Sequence, residues 1–355
     1  MSSTFPLFRL PLVALQVAIN HFHLNHFVIL TFCSRRAQRI AKLLRMKNPR
    51  PRIEAMYHSL ARVRLVDTYI EDCLSMGFSE YFKRAQYSIV SIKERSQLPE
   101  SDRIEFVRVG ESVIPLTKTF EKDGEEATLF LYFEKRFEGY KVMLDHFTWF
   151  FETPIYISCH NSRLHQNQIR EFLDYAIDKQ TSLERCHIKC KQTSEEQIRR
   201  IMDVCNSVNN FFIEVHPGPK FQHSFSFERD SLSVRNGFWF SLDNLFNINC
   251  RVCQVWGSKL TNLQMNQYLK QWRSGGYEKT RRITIEMEEI NLEVLLDDLN
   301  AVEFPQGEER TFKDENNRDV TINYGFDIQM ENGALATIVH EGGNIVSKWF
   351  YMVVW

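Results

Sequence analysis

Two pairs of cysteines have the spacing of metal ligands. Cys186 and Cys190 are four positions apart, and Cys250 and Cys253 are three apart. Four cysteine thiolates can hold zinc in tetrahedral geometry, so the two pairs together could form a zinc site. However, the first pair alternates with an isoleucine along a predicted strand, and the second pair flanks another strand. Because free cysteine is among the most frequently buried residue types, we expect core cysteines and no metal.

Two histidine-containing groups also have the character of metal ligands. The run 340–344 (HEGGN) begins like a zinc-protease helix, but Asn344 stands in place of the second histidine and two glycines favour a turn. His21, His23 and His26 span a predicted turn between helices. We therefore expect a turn at the first group and, at the second, a loop that faces solvent or a partner.

Three glutamates, Glu286, Glu288 and Glu289, could act as paired carboxylates. They lie at the end of a predicted strand, where a solvated edge explains them. The sequence contains no Gly-rich phosphate loop, no Gly-x-Ser-x-Gly elbow and no EF-hand loop. We therefore expect a protein that is not an enzyme, with no catalytic residues and no cofactor.

The composition is that of an ordinary globular protein. The 355 residues are 43% hydrophobic and 25% charged, which excludes collagen, low-complexity disorder and a small disulfide scaffold. Eight cysteines in this length, without an Asn-x-Ser/Thr sequon, favour a reducing compartment, so we expect a soluble protein of the cytoplasm, the nucleus or both. The formal net charge of −1 indicates neither nucleic acid nor a membrane as a partner.

Charge is distributed unevenly along the chain. Residues 1–53 contain nine Lys or Arg and no acid, whereas the rest of the chain has 35 basic and 45 acidic side chains, a balance of −10. Such a break is typical of a module boundary. Four of the bases, Arg35, Arg36, Arg39 and Lys42, lack the interleaved aromatic residues of a single-strand binding surface. We expect them on a solvent face or against an acidic partner.

Three interpretations of the N-terminal segment compete: a targeting peptide, a membrane span and a small helical docking module. A membrane span fails, because prolines and polar residues interrupt every stretch before it reaches the roughly 20 apolar residues that a bilayer requires. A mitochondrial transit peptide would share the bases without acids, and a secretory signal could use Leu10–Ile19 as its apolar region. The docking module fits better, because the bases cluster after Ser34 and the cysteine and sequon counts disfavour secretion.

Apolar residues at helical spacing predict three short helices in this segment. Pro11 opens the first, Asn25 is the predicted N-cap of the second, His26–Cys33, and Ser34 caps the third. Eight of the ten residues Leu10–Ile19 are apolar, and a helix that is apolar nearly all round must be buried on every side. Three short helices cannot provide that cover alone, so the rest of the chain or a second protein must complete it.

Several segments resemble a known family. Phe5–Leu12 and Leu30–Arg36 resemble the F-box of the expanded nematode F-box proteins. Six later segments resemble the F-box-associated domain that follows it: Leu260–Asn262, Tyr268–Trp272, Gly275–Gly276, Phe326–Ile328, Gly333–Ile338 and Phe350–Trp355.

The resemblance implies a substrate-recognition subunit of an SCF-type cullin–RING ubiquitin ligase. The F-box of such a protein docks on a Skp-type adaptor, and the associated domain holds a target protein, which the sequence does not identify. The residues expected at the adaptor contact, or supporting it, are Leu10, Pro11, Leu15, Ile19, Phe27, Leu30, Cys33 and Ile40. The alternative is a stand-alone, repeat-type binding scaffold without a link to ubiquitination.

The pattern beyond the helices predicts an α/β fold. Strands are expected at Ser88–Ile92 and Thr128–Phe133, with a turn signal at 122–125 between them. From residue 150 strands alternate with helices, and the predicted strands are centred on Ile157, Ile188, Ile213, Val255 and Ile285, the last of them at Arg282–Glu286. Helices are expected at Gln166–Lys179, from Ser194 to Asn206, and after Thr261. The intervals of 31, 25, 42 and 30 residues resemble an irregular leucine-rich repeat with one unit expanded by an insertion. An ordinary doubly wound sheet is the alternative.

The expected domain organisation follows from these patterns. We expect a three-helix F-box at 1–50, a mixed α/β segment at 51–150, and a repeat-like α/β associated domain at 151–355. Hairpin signals at 331–334 and 341–344 predict antiparallel strands that cover the end of the sheet.

Overall fold

The computed structural model describes residues 7–22, 24–45, 51–57, 61–66, 87–100, 104–120, 127–153, 155–161, 166–179, 183–191, 193–305, 307–314, 319–339 and 348–355. The chain divides into two compact units, 1–158 and 159–355. The first unit includes both the N-terminal helices and the strands that follow them, whereas the sequence placed domain boundaries after residues 50 and 150.

The first unit combines helices with a sheet. Its α-helices are α1 (Leu12–Asn20), α2 (Leu24–Thr31), α3 (Arg35–Arg45) and α4 (Arg136–Phe151). Its strands are β1 (Arg52–Tyr57), β2 (Ala61–Val66), β3 (Tyr87–Glu94), β4 (Glu105–Val109), β5 (Ser112–Phe120) and β6 (Ala127–Phe133). They lie in the order β1-β2-β3-β6-β5-β4, and neighbours are antiparallel except for the parallel pair β3 and β6.

The two strands predicted for this unit are confirmed as β3 and β6. The predicted turn at 122–125 lies outside the described residues. The sequence missed β4 and β5 between them, because neither strand alternates cleanly between apolar and polar residues and β5 contains Pro115.

The N-terminal helices begin close to their predicted positions. Pro11 immediately precedes α1, and its carbonyl accepts a hydrogen bond from the Leu15 amide at 2.9 Å. Ser34 caps α3 as predicted, since its hydroxyl accepts from the Ala37 amide at 3.3 Å. The predicted N-cap of α2 was wrong: Asn25 lies inside the helix, which begins at the buried Leu24. Burial of that leucine extends the helix beyond the local capping signal.

Helix α4 explains how the apolar surface of α2 is covered. It packs against the sheet on one side and against aromatic residues of the N-terminal helices on the other. The ring of Phe27 lies 5.6 Å from that of Phe150, and Phe32, just after α2, lies 5.5 Å from His146. Phe27 and Phe32 are each 3% exposed. The apolar surface of α2 is therefore buried against α4 of the same chain, as one of the two alternatives from the sequence predicted.

His146 makes the stability of the first unit depend on pH. Burial lowers its pKa to about 4 from 6.5, although a hydrogen bond with the Thr31 backbone opposes the shift. The unfolded chain therefore binds more protons than the folded one between these values, and stability falls as the pH falls through that window. We expect a loss of about 2 kcal/mol between pH 7.5 and pH 5 in urea unfolding. His146→Phe should remove this loss; an unchanged pH dependence in that variant would contradict the assignment.

The second unit contains a long sheet and its crossover helices. Its α-helices are α5 (Gln166–Lys179), α6 (Glu195–Cys205), α7 (Leu242–Phe246), α8 (Asn262–Ser274) and α9 (Leu292–Leu295). The strands, starting with one that spans the division between units, are β7 (Ile155–Asn161), β8 (Arg185–Cys190), β9 (Asn210–Val215), β10 (Ser231–Arg235), β11 (Val252–Val255), β12 (Arg282–Glu286), β13 (Val302–Glu303), β14 (Arg310–Lys313), β15 (Asp319–Ile322), β16 (Phe326–Gln329), β17 (Leu335–Ile338) and β18 (Trp349–Val354).

The strands β8 to β12 pair in parallel and in sequence order. Their central residues Ile188, Ile213, Val234, Val255 and Ile285 are therefore direct neighbours across the sheet. The predicted helices between them are confirmed as α6 and α8, capped by the hydroxyls of Ser194 and Thr261, respectively. The unit is thus a regular ladder in which each strand follows its predecessor.

The insertion expected between Ile213 and Val255 is wrong, because β10 lies there. Val234 divides the interval of 42 residues into two of 21. This strand was not predicted for two reasons. Only two of its five residues are apolar, and the segment before it, which contains Pro217 and Pro219, forms no helix that would mark a strand–helix repeat. The segment interpreted as an insertion therefore contributes one more parallel strand to the sheet, between β9 and β11.

Antiparallel strands adjoin the parallel ladder, as expected. Strand β18 pairs with β12, β17 pairs with β18, and β16 pairs with β17. The predicted hairpin at 331–334 joins β16 to β17. The second predicted hairpin, at 341–344, lies outside the described residues. Strands β14 and β15 form a separate two-stranded sheet in the same unit.

Candidate functional site

The parallel strands of the second unit present one buried face and one open face. Right-handed crossovers that advance in a single direction place α6 and α8 on the same side of the sheet. The side chains of that side are buried, for example Ile188, Ile213 and Val234 at 0% exposure. The opposite side, hereafter the open face, comprises Arg185, His187, Lys189, Asn210, Phe212, Glu214, Ser231, Ser233, Arg235, Val252, Gln254, Arg282, Thr284 and Glu286.

A cavity of about 870 Å³ lies over the open face. Its floor is formed by the first residues of β8 to β12, which include Ser231 and Ser233. Arg251 and Arg281, each just before a strand, stand at its edge, and Phe312 of β14 forms a wall. Sequence reasoning missed this site because it followed the apolar residues of each strand. The signal was present in the polar residues that alternate with them.

Side chains of neighbouring strands contact one another across the open face. The rings of His187 and Phe212 lie 4.0 Å apart in an edge-to-face arrangement. Lys189 pairs with Glu214 at 2.9 Å. Burial alone would raise the pKa of Glu214, but the hydrogen bond and charge of Lys189, together with the charges of Arg235 and His216, outweigh it, and the pKa lies below its usual value. The contact between His187 and Phe212 therefore orders part of the cavity floor, whereas Lys189 and Glu214 lie on the open face outside the cavity lining.

A buried polar cluster fastens the wall of the cavity. Arg310 of β14 donates two hydrogen bonds of 2.9 Å to the carboxylate of Asp327 in β16. The Thr337 hydroxyl donates to the same carboxylate at 2.6 Å and accepts from the Trp355 indole at 2.8 Å. The Asp327 carboxylate of β16 therefore links β14, through Arg310, and β17, through Thr337. These hydrogen bonds hold β14 beside the open face.

The cysteines singled out in the sequence lie in the core, as predicted. Cys186, Cys190, Cys250 and Cys253 are all at most 2% exposed. Cys186 lies 3.7 Å from the sulfur of Cys205, and burial raises its pKa. The described part of the chain contains no group of three His, Cys, Asp or Glu side chains arranged for a metal ion.

The other polar candidates do not come together. Glu286 accepts a hydrogen bond from the Gly257 amide at 2.7 Å, whereas Glu288 and Glu289 are exposed. His21 and His26 are exposed in the first unit. His23 and the run 340–344 lie outside the described residues.

The residues expected at an adaptor contact occupy different environments. Leu15, Ile19, Phe27 and Leu30 are between 3% and 8% exposed and support the helices from inside the unit. Leu10 and Ile40 are half-buried, and Pro11 and Cys33 are exposed.

A different set of apolar residues lies at the surface of α1. Leu12, Val13 and Val17 are 68%, 75% and 53% exposed, and we call them the α1 apolar face. At 100° per residue these three positions fall within roughly 140° of the helix circumference, and the centre of that arc lies about 130° from the buried Leu15. The sequence could not separate the two sides, because α1 is apolar nearly all round.

Two of the bases of α3 pair with acidic residues of their own unit. Arg35 pairs with Glu111, and Lys42 pairs with Glu152 at 2.9 Å. The Lys42 ammonium also lies 4.6 Å from the centre of the Trp149 ring. Arg36 and Arg39 are exposed.

Comparison with known proteins places part of the second unit in a family context. Residues 220–285 match the family model described as F-box associated. The match covers β10, β11 and all but the last residue of β12, and hence the cavity edge at Arg251 and Arg281. An uncharacterized protein of Caenorhabditis elegans is 21% identical over 99% of this chain and 79% of its own length. No solved structure matches the chain. Within the described residues, every helix is too short or too polar to cross a membrane.

Proposed function

We propose that the chain is a substrate-recognition subunit of an SCF-type ubiquitin ligase. Its N-terminal helices would act as an F-box that docks on a Skp-type adaptor, and its second unit, a repeat-like domain, would hold the target protein. The ligase would then act by tethering, since a target held near the charged ubiquitin carrier experiences a raised effective concentration. No residue of the chain needs to perform bond chemistry in this role.

The observation that carries the proposal is the coincidence of the F-box-associated match with the open face. The matched residues 220–285 include three adjacent strands of the ladder and two of the arginines at the cavity edge. A surface of this kind, with polar side chains on a rigid sheet, suits recognition of another polypeptide. The proposal therefore assigns the target to the second unit.

The α1 apolar face supports the docking half of the proposal. Leu12, Val13 and Val17 form a compact set of exposed aliphatic side chains, although α2 and the opposite side of α1 are buried within the unit. Clustered aliphatic residues on a rigid helix are typical of a helix that a partner protein covers. We therefore assign the adaptor contact to this face, with Leu15 and Ile19 holding the helix from beneath.

The test is capture of a purified Skp-type adaptor by the full chain. Val13→Asp together with Val17→Asp should lower adaptor affinity at least about tenfold, because two carboxylates would lose water in the contact. Both valines are exposed, so the melting temperature should stay within a few degrees of the wild type. The matched control is Val294→Asp with Val302→Asp, two valines of the second unit that are 39% and 65% exposed.

The results separate the proposal from its main alternative. Loss of capture in the α1 variant but not in the control supports docking through α1. Equal capture by both variants would contradict the assignment to this face. A wild-type chain that does not bind the adaptor would favour a stand-alone scaffold, a role consistent with the packing of Phe27 and Phe32 on α4.

A further inference from the structure

The cavity differs in charge from the unit that contains it. Residues 159–355 carry 22 Lys or Arg and 27 Asp or Glu, a formal balance of −5. The charged residues that line the cavity are Arg185, Arg251, Arg281, Arg282, Lys313, Asp230 and Asp314, a balance of +3. A basic cavity in an acidic unit attracts a ligand of negative charge while the surrounding surface repels it.

Two of these arginines are not neutralised by a described acid. The side chain of Arg251 makes no hydrogen bond or ion pair with any described residue. Among the described residues, the side chain of Arg281 donates only to the backbone carbonyls of Glu278 and Thr280, at 3.0 and 3.1 Å. Lys313, in contrast, pairs with Asp319 at 2.9 Å. Arg251 and Arg281 precede adjacent strands, so their guanidinium groups can serve one ligand together.

The dimensions of the open face suit an extended chain. Five strands spaced about 4.8 Å apart extend for about 19 Å across the sheet. An extended polypeptide covers that distance with about six residues, at about 3.3 Å each. Between the basic residues the floor offers neutral hydrogen-bonding groups, among them the hydroxyls of Ser231 and Ser233. Such a floor can bind peptide groups without requiring further charge.

We propose that this cavity binds an acidic, extended segment of the target protein, with carboxylates against Arg251 and Arg281. Guanidinium groups match carboxylates in geometry and charge, which makes arginine an effective group for this contact. The inference rests on the proposed function, because it specifies what the second unit would hold. It concerns a surface in that unit alone and can be tested without the adaptor.

The experiment measures fluorescence anisotropy of a labelled 12-residue peptide of alternating Glu and Gly, added to the full chain at 0.15 M salt. A peptide with Gln at every Glu position is the ligand control. Arg251→Glu with Arg281→Glu should weaken binding of the Glu peptide at least tenfold. Lys220→Glu with Lys259→Glu makes the same change of charge at two exposed positions outside the cavity, and should alter binding less than twofold.

Arg251→Glu alone provides a check that does not depend on the folding of the double variant, because the wild-type side chain is exposed and makes no hydrogen bond or ion pair with a described residue. It should weaken binding at least threefold. Equal affinity for the Glu and Gln peptides, or equal loss in the cavity and control variants, would overturn the inference. So would binding of single-stranded RNA that the Glu peptide does not displace.

The failure of this inference and that of the proposed function give different results. If the chain captures the adaptor through α1 but ignores the Glu peptide, the acidic ligand is wrong and the ligase role stands. If the chain binds the Glu peptide at the cavity but not the adaptor, the cavity belongs to a scaffold outside the ligase.

Discussion

Replacing Asp327 with alanine is expected to lower the free energy of unfolding of the second unit by about 3–5 kcal/mol. Its carboxylate accepts two hydrogen bonds from Arg310 and one from Thr337, and the two ion-pair side chains are only 22% and 12% exposed. Removal of the carboxylate would leave the largely buried guanidinium group of Arg310 with only the more distant and more exposed Glu308, at 3.8 Å, as its counter-charge. The measurement is urea unfolding followed by hydrogen exchange in peptides from residues 159–355.

Asp319→Ala is the matched control for this variant. Asp319 forms an ion pair with Lys313 in the same hairpin, β14–β15, but the two side chains are 64% and 54% exposed. Exposed pairs of this kind contribute about 0–1 kcal/mol, so we expect a small effect. Similar losses in both variants would show that the buried carboxylate has no special importance, and would contradict the role assigned to it.

Leu15→Asp is expected to destabilise the first unit by at least about 4 kcal/mol. Leu15 is 3% exposed on the inner side of α1, so the substitution removes apolar contacts and places a carboxylate where it cannot be hydrated. Loss of protection in hydrogen exchange should therefore extend from α1 to α3, which packs against it. The second unit should keep its wild-type protection.

The control lies two residues away on the same helix. Val17→Asp makes a comparable change at a position that is 53% exposed, and its unfolding free energy should stay within about 1 kcal/mol of the wild type. If both variants unfold alike, α1 is buried on both sides and has no free face for a partner. If neither unfolds, α1 does not pack on the unit in the way described.

The sequence predicted most of the helices and strands in which apolar residues recur at a regular helical or strand spacing. The helix predicted at Gln166–Lys179 and the strand at Arg282–Glu286 have the predicted bounds, because each shows one clear period between unambiguous breaks. The second N-terminal helix was misplaced by two residues at each end, since Asn25 is a good capping residue and nothing local shows that burial of Leu24 begins the helix earlier. At that position the start of the helix is determined by burial of Leu24 and not by the capping preference of Asn25.

The candidate site was less accessible to prediction than the fold. The cavity depends on β10, whose alternation is too short to recognise, and on β14, which is placed by Arg310 and Asp327 at a separation of 17 residues. The α1 apolar face was hidden for a different reason: α1 is apolar nearly all round, so only tertiary packing distinguishes the exposed Val17 from the buried Leu15. Pairings distant in sequence and the choice between equivalent faces are both decided by tertiary packing.

The order of strands in the ladder has a consequence for synthesis on the ribosome. Each of β9 to β12 finds its partner in the strand made just before it, so the ladder has low contact order and can assemble as the polypeptide emerges. Strand β18 is the exception, because it pairs with β12 across more than 60 residues of chain. Until Trp349–Val354 has been translated, β12 is a bare edge that can recruit strands from other nascent chains. A premature stop codon before residue 349 would therefore produce a polypeptide prone to aggregation rather than a smaller working protein.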